Sequence, residues 1–220
     1  MAWVDVRSGA LDVTADEIAR LGALIDTDER AHAARFHQTR DRRRFIVRRG
    51  RLREWLGRHL GEAPERLAFT NGAFGKPALA GSMLHFSISH SGDRMLAAFA
   101  DVEVGCDLER CDRIRDWRPI ADRLFSPQER AALAVLPEPE GRLGFFACWA
   151  RKEAFVKAIG LGLSYPLDAF DVSLGPEARL LAGGEGWSIS ALDIGEDHAA
   201  AIVARDAGTP LTIRILSERD

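Results

Sequence analysis

The sequence predicts an α+β protein made of two similar α/β half-domains, each a long helix packed on a small, mainly antiparallel sheet. Helical segments alternate with groups of short strands, which favours this class. One motif also occurs twice: Phe86–Ser89 followed by Met95–Ala100, and Trp187–Ser190 followed by His198–Ala204. Each copy follows a long helix, so we expect two related halves that join near residue 104, although two hairpins can also be alike by chance.

Helix starts are marked by capping chemistry, in which a short polar side chain accepts a backbone N–H and a glutamate three residues later reaches back. This pattern occurs at Thr14 with Glu17, at Asp26 with Glu29 and at Ser126 with Glu129. Pro127 strengthens the last start, because its missing N–H has no helical partner at the first position. The expected helices span residues 14–24, 27–36, 40–60, 127–136 and 143–160.

Short apolar runs between polar or glycine-containing turns predict the strands. They span Leu84–Ser89, Met95–Ala100, Val104–Glu109, Asp171–Leu174, Trp187–Leu192, Ala199–Ala204 and Leu211–Leu216. The expected halves are 1–104 and 105–220, with no Ser/Pro-rich linker between them. If the repeat is real, they form a pseudo-twofold pair, and the cleft between them is the natural place for a ligand.

Composition bounds the class of protein. With 220 residues and 46% hydrophobic content, the chain can bury a large core. Three cysteines without a CxxC pair, and no histidine spaced to complete a zinc site, predict a reduced, cytoplasmic protein. The first residues are acidic and contain no long apolar run, so we expect neither a signal peptide nor a membrane span.

Ten arginines between Arg35 and Arg58 face only Asp41 and Glu54 on a predicted helix. Such a basic surface attracts phosphate, although a solvated helix face is the plain alternative. Aromatic residues that could stack on bases are not interleaved with these arginines, so we do not expect nucleic acid as a partner.

The segment Trp149–Lys157 predicts a helix with unusual chemistry. Lys152 falls near the middle of an apolar arc, and Glu153 and Lys157, four residues apart, share a neighbouring stripe. A carboxylate and two ammonium groups beside an apolar face suit a polyphosphate and its metal. The alternative is a surface ion pair with a lysine that extends along its stem to solvent.

Two carboxylates, Asp107 and Glu109, end the strand that begins at Val104. Their spacing points both to the same side, and two charges so close are best tolerated when water or a cation lies between them. Magnesium fits, because it takes oxygen ligands from one or two carboxylates, water and substrate phosphate. Glu153 would be a third ligand, while an exposed strand end is the alternative for the pair.

Two loops could contact the same ligand. The turn from Asn71 to Pro77 lets the backbone approach closely at its glycines and presents Lys76. The segment from Ser89 to Gly92 leaves a strand with hydroxyls and an imidazole that can donate to phosphate. Taken singly, each motif is also explained as an ordinary surface loop.

In this order and at these spacings, the motifs GKP, FSISHSGD, VGCDLE and WARKEAFVKAIGLGL resemble those of the 4′-phosphopantetheinyl transferases, in their longer, surfactin-synthetase-activating type. The motifs cover Arg30 to Leu163, and the similar halves extend the resemblance to most of the chain. The resemblance implies an internal pseudo-dimer that acts as a monomer. It would transfer the 4′-phosphopantetheine arm of coenzyme A to a serine of an apo acyl, peptidyl or aryl carrier protein of natural-product biosynthesis, with Mg²⁺ or, in its place, Mn²⁺, and release 3′,5′-ADP.

The resemblance also implies roles for single residues. Asp107, Glu109 and Glu153 match magnesium ligands at the coenzyme A pyrophosphate, and Lys157 and Lys152 match lysines beside it. Arg44, Lys76, Ser89 and His90 match positions at the 3′-phosphate and adenosine end, with Gly75 and Pro77 shaping that loop. The first half would thus hold the adenosine end and the second the metal. Glu153 is the candidate base for the serine proton, with Lys157 and Asp107 as further catalytic residues.

One departure concerns the 3′-phosphate. Some members of the family place lysines where this chain has Asp28 and Ala31, so Arg30, Arg35 or another arginine would have to substitute.

Two other functions stay open. One is a magnesium-dependent phosphodiesterase or nuclease, although the usual acidic-x-lysine spacing is missing after Glu153. The other is a non-catalytic module that binds coenzyme A or a carrier protein. The basic segment Arg113–Arg123, with Trp117 and Phe125, is a candidate docking surface or else a packed connection between the halves.

Overall fold

A computed structural model shows that both halves of the chain follow the same order of elements: one strand, three helices and then two antiparallel pairs of strands. The model describes residues 2–206 and 211–216, the side chain of Leu163 excepted. The first half contains β1 (Trp3–Ala10), α1 (Ala15–Leu24), α2 (Thr27–Ala34), α3 (Thr39–Leu60), β2 (Phe69–Asn71), β3 (Pro77–Leu79), β4 (His85–Ser91) and β5 (Arg94–Ala100). The second contains β6 (Val104–Arg110), α4 (Arg118–Leu124), α5 (Pro127–Ala134), α6 (Glu140–Ile159), β7 (Asp171–Val172), β8 (Leu180–Ala182), β9 (Trp187–Ala191), β10 (His198–Arg205) and finally β11 (Thr212–Leu216).

The strand order repeats as well. In the first sheet β5 lies between β1 and β4, and in the second β10 lies between β6 and β9, all antiparallel. The registers correspond, because Val4 pairs with Ala100 as Val104 pairs with Ala204. A parallel strand, β11, extends the first sheet beside β1. The predicted α+β class with two similar halves is therefore confirmed.

The middle strands are buried on both faces, which explains their uninterrupted apolar runs. Alternate residues of β5, such as Met95 and Phe99, pack into the core of the first half, and those between, such as Leu96, enter a core shared by both halves. In β10, Ala201 packs against the second half's own core and Ile202 enters the shared one. The two sheets therefore pack on each other.

Across the described residues, no helix is both long and apolar enough to cross a membrane.

A buried ion pair fixes the long helix to a short helix in each half. Glu29 and Glu129 close the capping boxes of α2 and α5. Arg53 of α3 lies 2.6 Å from Glu29, and Lys152 of α6 lies 2.8 Å from Glu129. Both cationic side chains are 0% exposed, and each lies eight residues before the glycine that ends its helix. The ion pair is thus part of the repeated frame.

Helix and strand bounds agree with the predictions within a few residues, but some elements were missed. Strand β1 was not predicted, because the buried residues Asp5 and Arg7 interrupt its apolar pattern. The short α4 was also missed, and β2, β3 and β8 are only three residues each. The candidate docking surface needs a correction, because Trp117 and Phe125 lie in the core of the second half. They are packed inside that half and belong neither to an exposed surface nor to the core that the two halves share.

Gly105 sets how closely β6 approaches α6. A Cβ on this residue would lie 2.1 Å from the carbonyl oxygen of Ala154 and 2.3 Å from the nitrogen of Ala158. Real Cβ atoms do not come so near to backbone, so only glycine allows this contact. The side chains of β6 and α6 that face the cleft depend on it.

We expect Gly105→Ala to lower the free energy of unfolding by at least about 3 kcal/mol, because the new methyl group must push α6 away from β6. Denaturant unfolding followed by circular dichroism measures the effect. Gly175→Ala is the matched control, since nothing lies within 4 Å of its Cβ position. Equal stabilities of the two variants would contradict the prediction.

Candidate active site

A cavity of about 940 Å³ lies where α2, α3 and β4 of the first half meet β6 and α6 of the second. We call it the cleft. The predicted site residues that line it are Ser89, His90, Asp107, Glu109, Glu153 and Lys157. The other lining residues are Asp28, Glu29, His32, Phe45, Arg48, Arg49, Asn71, Ile88 and Trp149. Residues distant in the sequence are thus brought together.

Serine hydroxyls orient the two carboxylates of β6. Ser89 of β4 donates to Asp107 over 2.7 Å, and Ser91 donates to Glu109 over 2.9 Å. Both serines are buried, and alternate residues of a strand point the same way, so the two hydrogen bonds repeat along the strands. They direct both carboxylates toward the cleft.

Lys157 is the cation beside Asp107, while Arg113 lies 3.4 Å from Glu109. Its Nζ donates to Asp107 Oδ1 over 2.6 Å and to Ser89 over 3.0 Å. Burial opposes the charge of Lys157, but the carboxylate of Asp107 outweighs it and raises the pKa of the lysine. Lys157 is therefore charged at neutral pH.

Three carboxylates still exceed the positive charge close to them. Burial, followed by the charge of Asp107, raises the pKa of both Glu109 and Glu153. The second oxygen of Asp107, Oδ2, is buried without a hydrogen-bond partner among the described residues. A raised pKa and an unpartnered oxygen both indicate a place for a further cation.

As the side chains stand, no three His, Cys, Asp or Glu residues in the described part of the chain are grouped as a metal site. The donor set is nevertheless the right kind for a hard divalent ion, because all three acidic side chains on this wall offer oxygen. Asp107, Glu109 and Glu153 fit such an ion by chemistry and by facing one cavity.

On the opposite side of the cleft, Arg48 and Arg49 of α3 form what we call the basic wall, beside Asp28 and Glu29 of α2. Arg48 of α3 lies with Nη1 2.5 Å from Nε2 of His90. Desolvation, followed by the charge of Arg48, lowers the pKa of His90 to about 4, although the residue reaches the surface. The imidazole is therefore neutral at pH 7, and its Nε2 accepts a hydrogen bond from the guanidinium.

Arg48 is a cation without a paired carboxylate. Burial lowers its pKa, and its Nε has no hydrogen-bond partner in the described part of the chain. No carboxylate forms an ion pair with it among the residues that the structure describes, whereas its neighbour Arg49 is paired with Glu29. Sequence reasoning did not single out Arg48, because ten arginines share that segment and only the fold shows which of them line the cleft.

The structure corrects the prediction that Lys152 lies beside the pyrophosphate. It lies on the predicted apolar arc but does not reach the cleft: it is fully buried, pairs with Glu129 and donates to the carbonyl oxygens of Leu167 and Phe170 over 2.6 Å each. The physical reason is that Glu129, two backbone carbonyls and the Phe170 ring satisfy the ammonium inside the core. Lys152 stabilises the fold and is not placed to contact a ligand in the cleft.

Four other predicted positions also lie outside the cleft. Arg44 pairs with Asp12 and donates to the carbonyl oxygen of Gly92 over 2.8 Å. Lys76 donates to the carbonyl oxygens of Val104 and Ala158, at the start of β6 and the end of α6. Burial lowers its pKa to about 8. Gly75, with φ of +83°, and Pro77 shape the turn that carries Lys76. Through its two hydrogen bonds, Lys76 connects the first half to the second.

Comparisons with known proteins agree on one family. A model of the 4′-phosphopantetheinyl transferase superfamily matches residues 103–203, and one of the 4′-phosphopantetheinyl transferase N-terminal region matches residues 12–101. A 4′-phosphopantetheinyl transferase of Nostoc sp. is 36% identical over 88% of this chain and 84% of its own length. One of Bacillus subtilis is 30% identical over 87% of each chain. A solved holo-(acyl-carrier-protein) synthase from Bacillus anthracis matches 48% of this chain and 96% of its own, with 20% identity and a TM-score of 0.41.

We expect Lys152→Met to lower the free energy of unfolding by about 3–5 kcal/mol, because it leaves the Glu129 carboxylate buried without its cation. Denaturant unfolding measures the loss, and the double variant Lys152→Met with Glu129→Leu should recover part of it. Lys157→Met is the control: its side chain is 31% exposed, so the cost in stability should be smaller. A stability loss from Lys152→Met no larger than from the control would refute this role.

Proposed function

The chain belongs to the 4′-phosphopantetheinyl transferase superfamily, in its longer, surfactin-synthetase-activating type, and on this premise we propose that it transfers the 4′-phosphopantetheine arm of coenzyme A to a serine of an apo carrier protein. The observation that carries the proposal is the two-sided cleft. Asp107, Glu109, Glu153 and Lys157 face Arg48 and His90 across one cavity. A molecule with a pyrophosphate at one end and a separate phosphate at the other fits this division.

The carboxylate wall suits a magnesium ion held by Asp107, Glu109 and Glu153, with Mn²⁺ as a substitute. Such an ion would neutralise the pyrophosphate of coenzyme A as charge develops on the leaving oxygen. The support in this chain is the unpartnered Oδ2 of Asp107 and the raised pKa of the two glutamates.

Transfer forms a bond between the serine oxygen and the β-phosphorus and breaks the bond from that phosphorus to the bridging oxygen, so 3′,5′-ADP leaves. Lys157, charged and held beside Asp107, offsets negative charge on the pyrophosphate. Glu153 is our candidate acceptor for the serine proton, because its carboxylate faces the cleft. As a ligand of the ion it would be a weaker base, so the two roles compete. Asp107 keeps Lys157 charged and in position.

The basic wall is our candidate for the 3′-phosphate. Arg48 supplies the charge, since His90 is neutral, and His90 accepts a hydrogen bond that holds the guanidinium in place. This assignment moves the role away from Arg44, whose guanidinium is paired with Asp12. It also removes the need for lysines at Asp28 and Ala31.

We further propose that the partner is an acyl, peptidyl or aryl carrier protein of natural-product biosynthesis and that the protein acts in the cytoplasm as a monomer. Each half supplies one wall of the cleft, so a single copy of the chain can bind the whole coenzyme. Three free cysteines suit a reducing compartment.

The first test incubates the protein with magnesium, coenzyme A and several apo carrier proteins and weighs the carriers by mass spectrometry. We expect one carrier to gain a phosphopantetheine, and Asp107→Asn and Glu153→Gln to lower the rate at least about 100-fold, because each removes a carboxylate that would hold the magnesium ion at the pyrophosphate. Circular dichroism checks that both variants fold. Isothermal titration with Mn²⁺ gives a readout besides activity, since both should bind the ion more weakly.

Failure to modify any carrier, while a proven transferase modifies the same preparation, would rule out the proposed reaction. If coenzyme A nevertheless binds, the non-catalytic binding module becomes the better account. Full activity in both variants would overturn the carboxylate assignment.

A second test concerns the basic wall. Arg48→Met should weaken coenzyme A at least about tenfold and dephospho-coenzyme A little, because only the former carries the 3′-phosphate. His90→Gln keeps an acceptor for Arg48 without a titratable ring. The ratio of its Kd for coenzyme A to that of the wild type should stay constant between about pH 5 and 8. If the ratio rises as the pH falls, the imidazole gains a charge that reads the phosphate, and the assignment to Arg48 is wrong.

A further inference from the structure

A second cavity lies in the second half of the chain, on a different face of α6. Its volume is about 600 Å³, and no residue lines both it and the cleft. Helix α6 presents Glu153 and Lys157 to the cleft, and Ala147 and Arg151 to this second cavity. We propose that the second cavity is a binding site for a small, neutral, apolar molecule that carries one hydrogen-bond donor.

The cavity exists because small side chains stand where the first half has a large one. Ala199 of β10 lies opposite Glu109, and the corresponding pair in the first half is Met95 with Gly9. Met95 is fully buried in the core beneath α3, whereas Ala199 leaves space beneath α6. Since the two halves share one frame, this space is a feature of the second half rather than of the fold.

The walls are mainly apolar. They include Leu136 at the end of α5, Leu143 and Ala147 on α6, Leu174, and Leu192 after β9. Leu143 is 48% exposed, so apolar surface continues to the mouth of the cavity. The volume falls in the range of about 300–1,000 Å³ typical of small-molecule sites, which are mostly apolar with few polar groups.

One of those polar groups is an imidazole without a partner. His198 lines the cavity with a side chain that is only 1% exposed. Its Nδ1 lies 2.7 Å from a carboxylate oxygen of Asp197, which can only accept, so Nδ1 holds the hydrogen. With the hydrogen on Nδ1, the other nitrogen, Nε2, has a free lone pair in that tautomer, and it is buried with no hydrogen-bond partner among the described residues. A buried acceptor of this kind is satisfied by a ligand that donates.

The charged residues around the cavity favour a neutral ligand. The guanidinium of Arg151 already donates to the carbonyl oxygens of Ser173 and Gly175, over 2.5 and 2.6 Å. These bonds occupy N–H groups that would otherwise bind an anion, while the positive charge of Arg151 repels a cation. Glu140 and Glu196 are exposed at the rim, where their carboxylates repel an anion.

The test uses two probes with nearly the same apolar body, indole, which has an N–H donor, and 1-methylindole, which has none. Titration of the full chain, followed by NMR of backbone amides, gives the affinity and the location. We expect saturable binding of indole with shifts at residues that line the second cavity. We expect 1-methylindole to bind at least about fivefold more weakly, because it cannot satisfy Nε2 of His198.

Variants distinguish the effect of the cavity volume from the effect of the hydrogen bond to His198. Ala199→Met copies the first half, fills the cavity and should weaken indole at least about tenfold. Ala147→Phe serves the same purpose if the first variant does not fold. Ala131→Met, on exposed α5 surface outside the cavity, is the matched control and should leave binding unchanged. His198→Leu should bring the two probes to the same affinity, since it removes the acceptor.

Three results would overturn the site: no saturable binding of either probe, shifts confined to cleft residues such as Ser89 and Asp107, or undiminished binding in a folded cavity-filling variant. Equal affinity of the two probes for the wild type would overturn the role of His198 and with it the donor requirement. None of these readouts measures transfer, so they stand whether or not the proposed reaction occurs.

Discussion

The cleft depends on a row of hydrogen bonds between two strands that belong to different sheets. Strand β4 ends the first sheet and β6 ends the second, and serine hydroxyls of β4 connect them. Ser87 accepts from the backbone of Cys106, Ser89 donates to Asp107, and Ser91 donates to Glu109. Side chains alternate between the two faces of each strand, so contacts of this kind recur at every second residue. The same row that joins the halves therefore points the carboxylates into the cavity.

The repeated frame shows how one helix pattern has different roles in the two halves. Counted back from its final glycine, each long helix carries the same pattern: a buried cation, then a glutamate, then a second cation four residues after that glutamate. In α3, Glu54 and Arg58 form an ordinary helical ion pair. In α6, Lys157 pairs instead with Asp107 of the neighbouring strand β6, on the same wall of the cleft. The difference follows from the carboxylate that β6 places beside this lysine.

Charge separation gives the cleft its selectivity. Carboxylates from β6 and α6 make one wall electron-rich, while Arg48 makes the other wall cationic and His90 stays neutral beside it. A ligand that brings a cation to one wall and an anion to the other relieves both imbalances. Electrostatic energy of this kind is large because the groups are partly removed from water.

The sequence by itself determined the class of fold, the repeated helices and strands, and the motifs that contain Asp107, Glu109 and Glu153, because these are set by local periodicity and residue type. It also marked Lys152 as unusual. Only the tertiary structure decided that Lys152 pairs with Glu129, that Arg44 pairs with Asp12, and that Arg48, one of ten similar arginines, reaches the cleft. Long, flexible cationic side chains can serve a fold or a ligand equally well. Their partners lie far away in the sequence, and the packing of helices against sheets chooses among them.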